Sequence, residues 1–287
     1  MILVTGGLGF IGTHTTRALL DRGHDTLPAS RTPRPSPLLP GVTAAALDCT
    51  DPESLSALGR TTRIDTIVHL AAAPLGGASP LAEMATNLQA IAAVLHAAAT
   101  WHVQRVIVAS TIGVYAGVDA VPWREDAPLP VASPHPIPAA KKAGEVLALA
   151  SGLPVVIARI GATWGPLGRP TSLFIAAPAM VHAAARGLPV EAPAGGADLL
   201  YAPDCGAALA HLATAPALDH TVYNIASGRP TPNAALAAAL GAAADAPTDP
   251  IPHMDAARLR ASGWAPAWTV ESAAADYMSW LAAGHTR

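Results

Sequence analysis

Short, unbroken runs of apolar residues alternate with longer stretches rich in alanine and leucine over residues 1–160. The runs that predict strands are 2–4, 26–29, 42–47, 66–70, 106–109 and 155–158, and the stretches that predict helices are 10–22, 52–58, 80–101 and 139–151. Strands without alternating polar residues are typical of a sheet that is covered on both faces. The alternation therefore predicts an α/β fold built on a doubly wound parallel sheet.

This alternation stops after Gly165, where segments interrupted by proline and glycine follow, and a strand-like run returns only at 221–225. We therefore expect two parts in the chain. The larger sheet domain is expected from residues 1–162 plus about 198–226, and a smaller C-terminal lobe from about 163–197 plus 227–287.

Composition excludes several classes of protein. Hydrophobic residues make up 51% of the chain and charged residues 13%, a balance that excludes global disorder. The 17 Lys and Arg against 20 Asp and Glu leave a formal charge of −3, so we expect no nucleic-acid partner. Polar residues interrupt the apolar stretches and the N-terminus lacks a basic region, so we expect no membrane partner and no signal peptide.

The two cysteines, Cys49 and Cys205, lie far apart in the chain and have no metal-spaced histidine nearby. They suggest neither a disulfide framework nor a metal site. A reducing, cytoplasmic location fits this usage best.

A glycine-rich turn joins the first predicted strand to the first predicted helix. Gly6 allows a tight turn, Gly9 lets the backbone approach a pyrophosphate, and Gly12 lets the helix pack closely against the strand. The N-terminus of the helix then faces the anion. A turn of this kind at the start of a strand–helix–strand array predicts a dinucleotide-binding domain of the Rossmann type.

The segment 5–12, TGGLGFIG, resembles the TGxxGxxG fingerprint of the extended short-chain dehydrogenase/reductases. Further segments are similar to this family along nearly the whole chain, at 65–72, 106–115, 159–166, 198–204, 223–225 and 263–266. The resemblance implies a dinucleotide-binding Rossmann domain, a smaller lobe that binds the substrate, and oxidoreductase chemistry.

The resemblance and the glycine turn together indicate a set of residues at the cofactor. They are Gly6, Gly9, Phe10, Ile11, Gly12, Ser30, Arg31, Arg34, Asp48, Cys49, Leu70, Ala71, Ala72, Asn87, Ser110, Lys141, Ile160, Gly161 and Ala162.

The end of the second strand selects the cofactor, because a carboxylate there binds the ribose 2′-hydroxyl and an arginine there pairs with a 2′-phosphate. Here the strand ends in Ser30 and Arg31, with Arg34 close behind and no acidic residue. NADPH is therefore the expected cofactor, with NADH possible; the alternative is that both arginines are solvated loop charges. Asp48 either lines the adenine or caps the helix predicted at 52–58.

The family's catalytic tyrosine is missing. In the family a Ser or Thr holds the carbonyl, a Tyr handles the proton, and a Lys four residues later binds the ribose. Thr111 and Lys141 match, but Ile137 stands four residues before Lys141, and no tyrosine of the chain precedes a lysine by four. Because Pro138 disfavours a helical residue before it, we expect the helix to start at Pro138 and to leave Ile137 outside.

Lys141 and Lys142 are the only lysines in the chain, and we expect Lys141 to contact the cofactor and Lys142 to be an exposed charge. Three residues remain as weaker candidates for the lost proton donor, His135, Tyr115 and Tyr201, against the simpler view that they are solvated or packing residues. Trp164 either stacks on an aromatic substrate or fills the junction with the lobe. The residues expected at the substrate are Ala73, Thr111, Ile137, Trp164 and Tyr201.

An extended frame with Ile in place of Tyr, in a composition rich in Arg, Ala and Pro, resembles the atypical ketoreductases of aromatic polyketide antibiotic pathways. The resemblance implies reduction of a ketone on a small aromatic, angucyclinone-type molecule, with the proton supplied by a neighbouring substrate phenol. Two alternatives stay open. One is a non-catalytic NADP-binding sensor, and the other is a nucleotide-sugar epimerase or dehydratase, which would need an enzymic base.

Overall fold

The computed structural model describes residues 1–73, 79–133, 135–172, 174–243, 245 and 249–285. Residue 173 and several residues beyond 243 of the predicted lobe lie outside these ranges. Within them no helix is both long and apolar enough to cross a membrane.

Strands and helices alternate through the first part of the chain. The strands are β1 Ile2–Thr5, β2 Thr26–Ser30, β3 Ala45–Ala46, β4 Thr66–His69, β5 Arg105–Thr111, β6 Val155–Ile160, β7 Ala162–Trp164, β8 Gly196–Ala197, β9 Leu199–Tyr201, β10 Val222–Ile225 and β11 Thr231–Pro232. The α-helices are α1 Phe10–Asp21, α2 Pro52–Thr61, α3 Pro80–Thr100, α4 Pro136–Ala150, α5 Ala177–Ala185, α6 Ala202–Thr214, α7 Asn233–Ala239, α8 Ala257–Ala261 and α9 Val270–Ala282. A short 3-10 helix spans Ile112–Tyr115.

Seven strands form one parallel sheet in the order β10-β6-β5-β4-β1-β2-β3. Successive residues of β1 pack into different cores: Ile2 and Val4 lie with α1 and α6, and Leu3 lies with α2, α3 and α4. The sheet is therefore covered by helices on both faces, which confirms the predicted doubly wound α/β fold.

The C-terminal part of the chain builds a third hydrophobic core around Trp164, Tyr201 and Tyr277, to which α5, α7 and α9 contribute. Two pairs of short strands, β7 with β9 and β8 with β11, lie outside the main sheet. The run at 221–225 forms β10, which joins the edge of the main sheet beside β6. The division of the chain into two domains at the predicted boundaries stays a prediction.

Two local expectations were wrong. The run predicted as a strand at 42–47 forms only the two-residue β3, Ala45–Ala46. Helix α4 begins at Pro136, two residues before the predicted start at Pro138. The proline rings are tolerated because the first residues of a helix have no intrahelical partner for their N–H groups.

Candidate active site

The glycine-rich turn lies between β1 and the N-terminus of α1, and close contacts explain its glycines. Gly6 has a φ of +67°, and a Cβ on it would lie 2.8 Å from the Ala71 nitrogen. A Cβ on Gly12 would lie 2.0 Å from the Gly6 oxygen. No side chain caps α1, and its first turn has no acidic residue. The free N–H groups and the bare backbone form a cradle that fits the pyrophosphate of a dinucleotide.

A cleft of about 1190 Å³ opens over this turn. Predicted cofactor and substrate residues that line it are Gly6, Gly9, Phe10, Ser30, Arg31, Arg34, Asp48, Cys49, Leu70, Ala71, Ala72, Ala73 and Trp164. Predicted residues outside its lining are Ile11, Gly12, Asn87, Ser110, Thr111, Ile137, Lys141, Ile160, Gly161, Ala162 and Tyr201. The lobe adds lining residues that the sequence analysis did not select, among them Leu167, Arg169 and Phe174.

The end of β2 presents two arginines to the cleft. Arg31 and Arg34 are exposed, and neither forms an ion pair among the described residues. Asp48 accepts hydrogen bonds from the backbone and hydroxyl of Thr50, which lower its carboxyl pKa, and the charge of Arg31 acts in the same direction. Asp48 does not cap the following helix, since the N-cap of α2 is Asp51. Burial raises the pKa of the neighbouring Cys49 thiol to about 11.

Hydrogen bonds fix the backbone that follows β4. The Ala73 N–H donates to the side-chain oxygen of Asn87 (2.9 Å), and the Ala71 N–H donates to the hydroxyl of Thr5 (3.4 Å). The same hydroxyl lies 2.8 Å from Nδ1 of His69, whose pKa burial lowers to about 3. His69 is therefore neutral, and through the Thr5 hydroxyl it helps to hold the end of β1, where the glycine-rich turn begins. The sequence analysis missed this role because a histidine within a strand carries no distinguishing pattern.

Ile137 occupies the register of the missing tyrosine. His135 is the N-cap of α4, and its Nδ1 accepts a hydrogen bond from the Ile137 N–H (3.3 Å). Ile137 is thus the second residue of the helix, one turn before Lys141. The expectation that the prolines exclude residue 137 from the helix is therefore wrong, because both prolines stand within its first turn.

Lys141 bonds to β5 two residues before Thr111, the residue that ends this strand. The Lys141 ammonium donates to the Ala109 carbonyl (2.7 Å), and burial lowers its pKa to about 8, with Glu145 opposing the shift. The Thr111 hydroxyl accepts from the Gly113 N–H (3.2 Å), so its own proton remains available to a bound oxygen. Lys142 is not an exposed charge: it is half-buried and donates to the carbonyls of Pro130 and Ala132.

A buried polar network fastens α4 to β5 and β6. Glu145 accepts hydrogen bonds from the Ser110 hydroxyl and from the Arg159 guanidinium, with which it forms a buried ion pair (2.8 Å). Arg159 also donates to the hydroxyl of Tyr115 (2.9 Å), and Tyr115 donates to Asn224 (2.7 Å). Ser110 therefore bonds to Glu145 and acts through α4, although it was selected as a cofactor contact.

All four tyrosine hydroxyls of the chain are hydrogen-bonded within the protein. Tyr115 is fully buried in the network above, Tyr201 donates to Asp276, Tyr277 bonds to His182, and Tyr223 accepts from the His220 N–H. Burial raises the hydroxyl pKa of each. None of the four tyrosines lines the cleft, so none is placed to give a proton to a substrate bound there.

The lobe junction is filled by aromatic rings. Trp164 is 2% exposed and Tyr201 is 3% exposed, and their ring centroids lie 5.3 Å apart. Both belong to the third core, although Trp164 also reaches the wall of the cleft. At the end of β6 the Gly161 N–H donates to the Ile225 carbonyl (2.9 Å), where a larger residue would crowd that oxygen. Within the described ranges no cluster of three or more His, Cys, Asp or Glu residues could hold a metal ion.

Residues 2–226 match the model of the NAD dependent epimerase/dehydratase family. The chain belongs to this family. Its fold is accordingly the NAD-binding Rossmann fold of the extended short-chain dehydrogenase/reductases, and its activity is of the NAD-dependent oxidoreductase and epimerase class.

Two relatives and one solved structure align with 80% to 97% of the chain. The low-salt glycan biosynthesis protein Agl12 of Haloferax volcanii is 30% identical over 96% of this chain and 97% of its own length. The 2'-dehydrokanamycin reductase of Streptomyces kanamyceticus is 30% identical over 80% of this chain and 63% of its own length. The enzyme WbmG of Bordetella bronchiseptica, solved in complex with NAD and UDP, aligns with a TM-score of 0.79 at 24% identity over 97% of this chain and 93% of its own.

Proposed function

We propose that this protein is an NADPH-dependent ketoreductase that reduces a ketone on an aromatic, angucyclinone-type polyketide, and that a substrate phenol beside the ketone supplies the proton. The observation that carries the proposal is the side chain in the tyrosine register of α4. Ile137 has no proton to give, and every tyrosine hydroxyl of the chain is engaged elsewhere.

Because the protein lacks a tyrosine at position 137, we infer that the substrate itself donates the proton. When bound, NADPH would supply a hydride, and hydride addition to a ketone leaves an alkoxide whose conjugate acid is about as weak as water. A phenol with a pKa of about 10 transfers its proton downhill to that oxygen. Because the phenol and the ketone belong to one molecule, the donor is already in position.

The residues of the chain then bind and orient. The free proton of the Thr111 hydroxyl can hydrogen-bond the carbonyl oxygen, and the Lys141 ammonium can leave Ala109 for the cofactor's ribose. The Lys141 charge also stabilises the phenolate that proton transfer leaves behind. Water reprotonates this phenolate after the product has left.

The lobe side of the cleft suits a flat, apolar substrate. Phe174, Pro178 and Trp164 line it, and Phe174 is 75% exposed. Aromatic and aliphatic side chains at such a wall bind an aromatic polyketide through apolar contact. At the other end, Arg31 and Arg34 suit the 2′-phosphate of NADPH, so NADPH is the preferred cofactor, although NADH can also bind.

Family membership supports a second candidate, epimerase or dehydratase action on a nucleotide sugar. Such a reaction begins with removal of a hydroxyl proton from the sugar, and Ile137 cannot accept that proton. The name of the Streptomyces relative shows that reductases also occur among the relatives of this chain. A sensor role is the third candidate, but a protein that only binds NADP needs no hydroxyl for a carbonyl oxygen, which is the role proposed here for Thr111.

The decisive experiment compares an aromatic ketone that carries a neighbouring phenol with its O-methyl ether, followed by the loss of NADPH absorbance. We expect the phenol to be reduced and the ether to bind without being reduced. His135→Ala and Tyr201→Phe serve as controls and should lower kcat less than about tenfold. Undiminished reduction of the ether, or loss of activity in either control, would place the donor in the protein. Turnover of UDP-glucose or dTDP-glucose without ketone reduction would favour the second candidate.

A further inference from the structure

The lobe contributes a tight turn to the wall of the cleft, immediately after β7. The Gly168 N–H donates to the Gly165 carbonyl (3.0 Å), with Pro166 and Leu167 at the two central positions. Leu167 has a φ of +67°, in the left-handed region that the third position of a type II turn requires and that glycine usually fills. A side chain is therefore held there against the conformational preference of leucine, and it lines the cleft.

The glycine-rich domain holds this turn in place. Nε2 of the buried His14, on α1, lies 2.9 Å from the Pro166 carbonyl oxygen. A Cβ on Gly168 would lie 3.2 Å from the ring of Phe10, the first residue of α1. The turn thus lies against the N-terminus of α1, and Arg169, which follows it, lines the same cleft as Gly6 and Gly9 of the glycine cradle.

Arg169 is the one cationic side chain, among the described residues that line the cleft, that does not follow β2. Among the described lining residues the cationic side chains are Arg31, Arg34 and Arg169. Arg31 and Arg34 follow β2, at the adenosine end. The first turn of α1, residues 10–13, carries no charged side chain. The cradle itself therefore offers only N–H groups to an anion. Arg169 is exposed and forms no ion pair with any described residue.

We propose that Arg169 pairs with the pyrophosphate of the bound dinucleotide, so that the lobe closes the phosphate site that the glycine turn opens. The proposal rests on the cofactor-binding part of the proposed function and not on the identity of the ketone. Leu167 covers the same stretch of the cofactor with an apolar surface and excludes water from the ion pair. The rigid turn carries the arginine, so the contact costs little ordering of the backbone.

Titration of the purified protein with four nucleotides tests this assignment. In Arg169→Ala we expect the Kd values of ADP, NADH and NADPH to rise by about tenfold or more, because a charge-assisted contact to phosphate is lost. The Kd of 2′-AMP should stay unchanged. Arg31→Ala should show the reverse pattern, with weaker binding of 2′-AMP and NADPH and unchanged binding of ADP.

Two further variants complete the design. Arg186→Ala removes an exposed arginine of the same lobe outside the cleft lining and should bind all four nucleotides as the wild type does. Arg169→Lys keeps the charge and should retain part of the affinity. Unchanged ADP and NADH binding in Arg169→Ala overturns the proposal. If this variant instead weakens only the binding of UDP or of the ketone, the arginine serves the substrate and the proposal is also wrong. ADP and NADH binding needs no ketone, so this result is independent of whether the proposed reductase activity is found.

Discussion

The side chain at position 137 determines whether the protein itself can deliver the proton for carbonyl reduction. Ile137 is half-buried in the first turn of α4, and Lys141, one turn later, carries the ammonium that would lower the pKa of a phenol placed there. A tyrosine at this position would therefore stand in the register of the usual donor. The residue, and not the course of the backbone, is therefore what leaves this position of α4 without a proton donor.

We therefore expect Ile137→Tyr to create an enzymic donor. Reduction of the O-methyl ether, which lacks its own proton, should rise by about 10² or more, the usual contribution of a positioned general acid. Reduction of the free phenol should change less than about tenfold because that substrate already provides the proton. The assay is kcat on both ketones, with Ile137→Phe as a control of equal bulk without a hydroxyl. If both variants leave the ether unreacted, residue 137 does not reach the carbonyl.

Individual residues were predictable from the sequence where a local pattern constrains them. The glycines of the turn follow from the backbone they must allow, and Arg31 and Arg34 follow β2 and line the cleft as expected. The role of Leu167 could not be predicted, because a leucine in the sequence does not indicate a left-handed φ. The partners of Lys142 could not be predicted either, since they are two backbone carbonyls of the loop that precedes α4.

At the scale of elements, the apolar runs predicted the strands of the main sheet and the helices between them. The lobe helices α5 and α7 were not predicted individually because they consist largely of alanine, which is compatible with a buried or an exposed face. Helix α4 is placed by two side chains one turn apart: Lys141 bonds to the Ala109 carbonyl, and Glu145 bonds to the Ser110 hydroxyl of the same strand. Neither bond was expected from the sequence, which assigned Lys141 to the cofactor.

The packing of α1 against α6 yields a second prediction. A Cβ on Gly206 of α6 would lie 2.4 Å from the backbone carbon of His14, so Gly206→Ala must separate two helices that cover one face of the sheet. We expect this variant to be destabilised by about 1–3 kcal/mol, the usual cost of overpacking. Urea unfolding at constant pH measures the difference.

Gly144→Ala in α4 is the matched control. Its Cβ would meet only the flexible end of Ile91, at 3.3 Å, and alanine is favoured over glycine inside a helix by about 1 kcal/mol. This variant should be as stable as the wild type or more stable. Equal destabilisation of both would show that loss of glycine, and not contact between α1 and α6, is responsible.

In the molecule as a whole, buried carboxylates connect the C-terminal part to the main sheet. Asp198 accepts hydrogen bonds from the backbone of Ser227, Gly228 and Met254, and Asp204 on α6 accepts from the N–H groups of Ala267 and Trp268. Burial raises the pKa of both carboxyl groups. The sequence resemblance marked the segment that contains them, 198–204, but gave no indication of which loops they hold.

The buried ammonium of Lys141 makes the stability of the whole molecule depend on pH in a direction that can be worked out. Its pKa is about 8 in the folded protein and 10.5 ordinarily, so between these values the unfolded chain binds more protons. The contribution of Lys141 to the stability of the cofactor-free protein should therefore rise as the pH increases from about 8 to about 10.5. Below about pH 8 the full cost of burying the charge is present.

Thermal unfolding from about pH 7.5 to about pH 10 measures this trend, and Lys141→Met, which keeps the apolar stem and loses the charge, is the reference. The groups that act on Lys141 are Glu145, which favours its charge, and His69, which stays neutral throughout the window. The wild type should gain stability relative to the variant as the pH rises, whereas its affinity for NADPH should fall, because the ammonium that binds ribose is being lost. A constant difference in Tm between the two proteins across the window would contradict the lowered pKa. Opposite movement of stability and affinity would show that one proton, on Lys141, links the folding of the molecule to the binding of its cofactor.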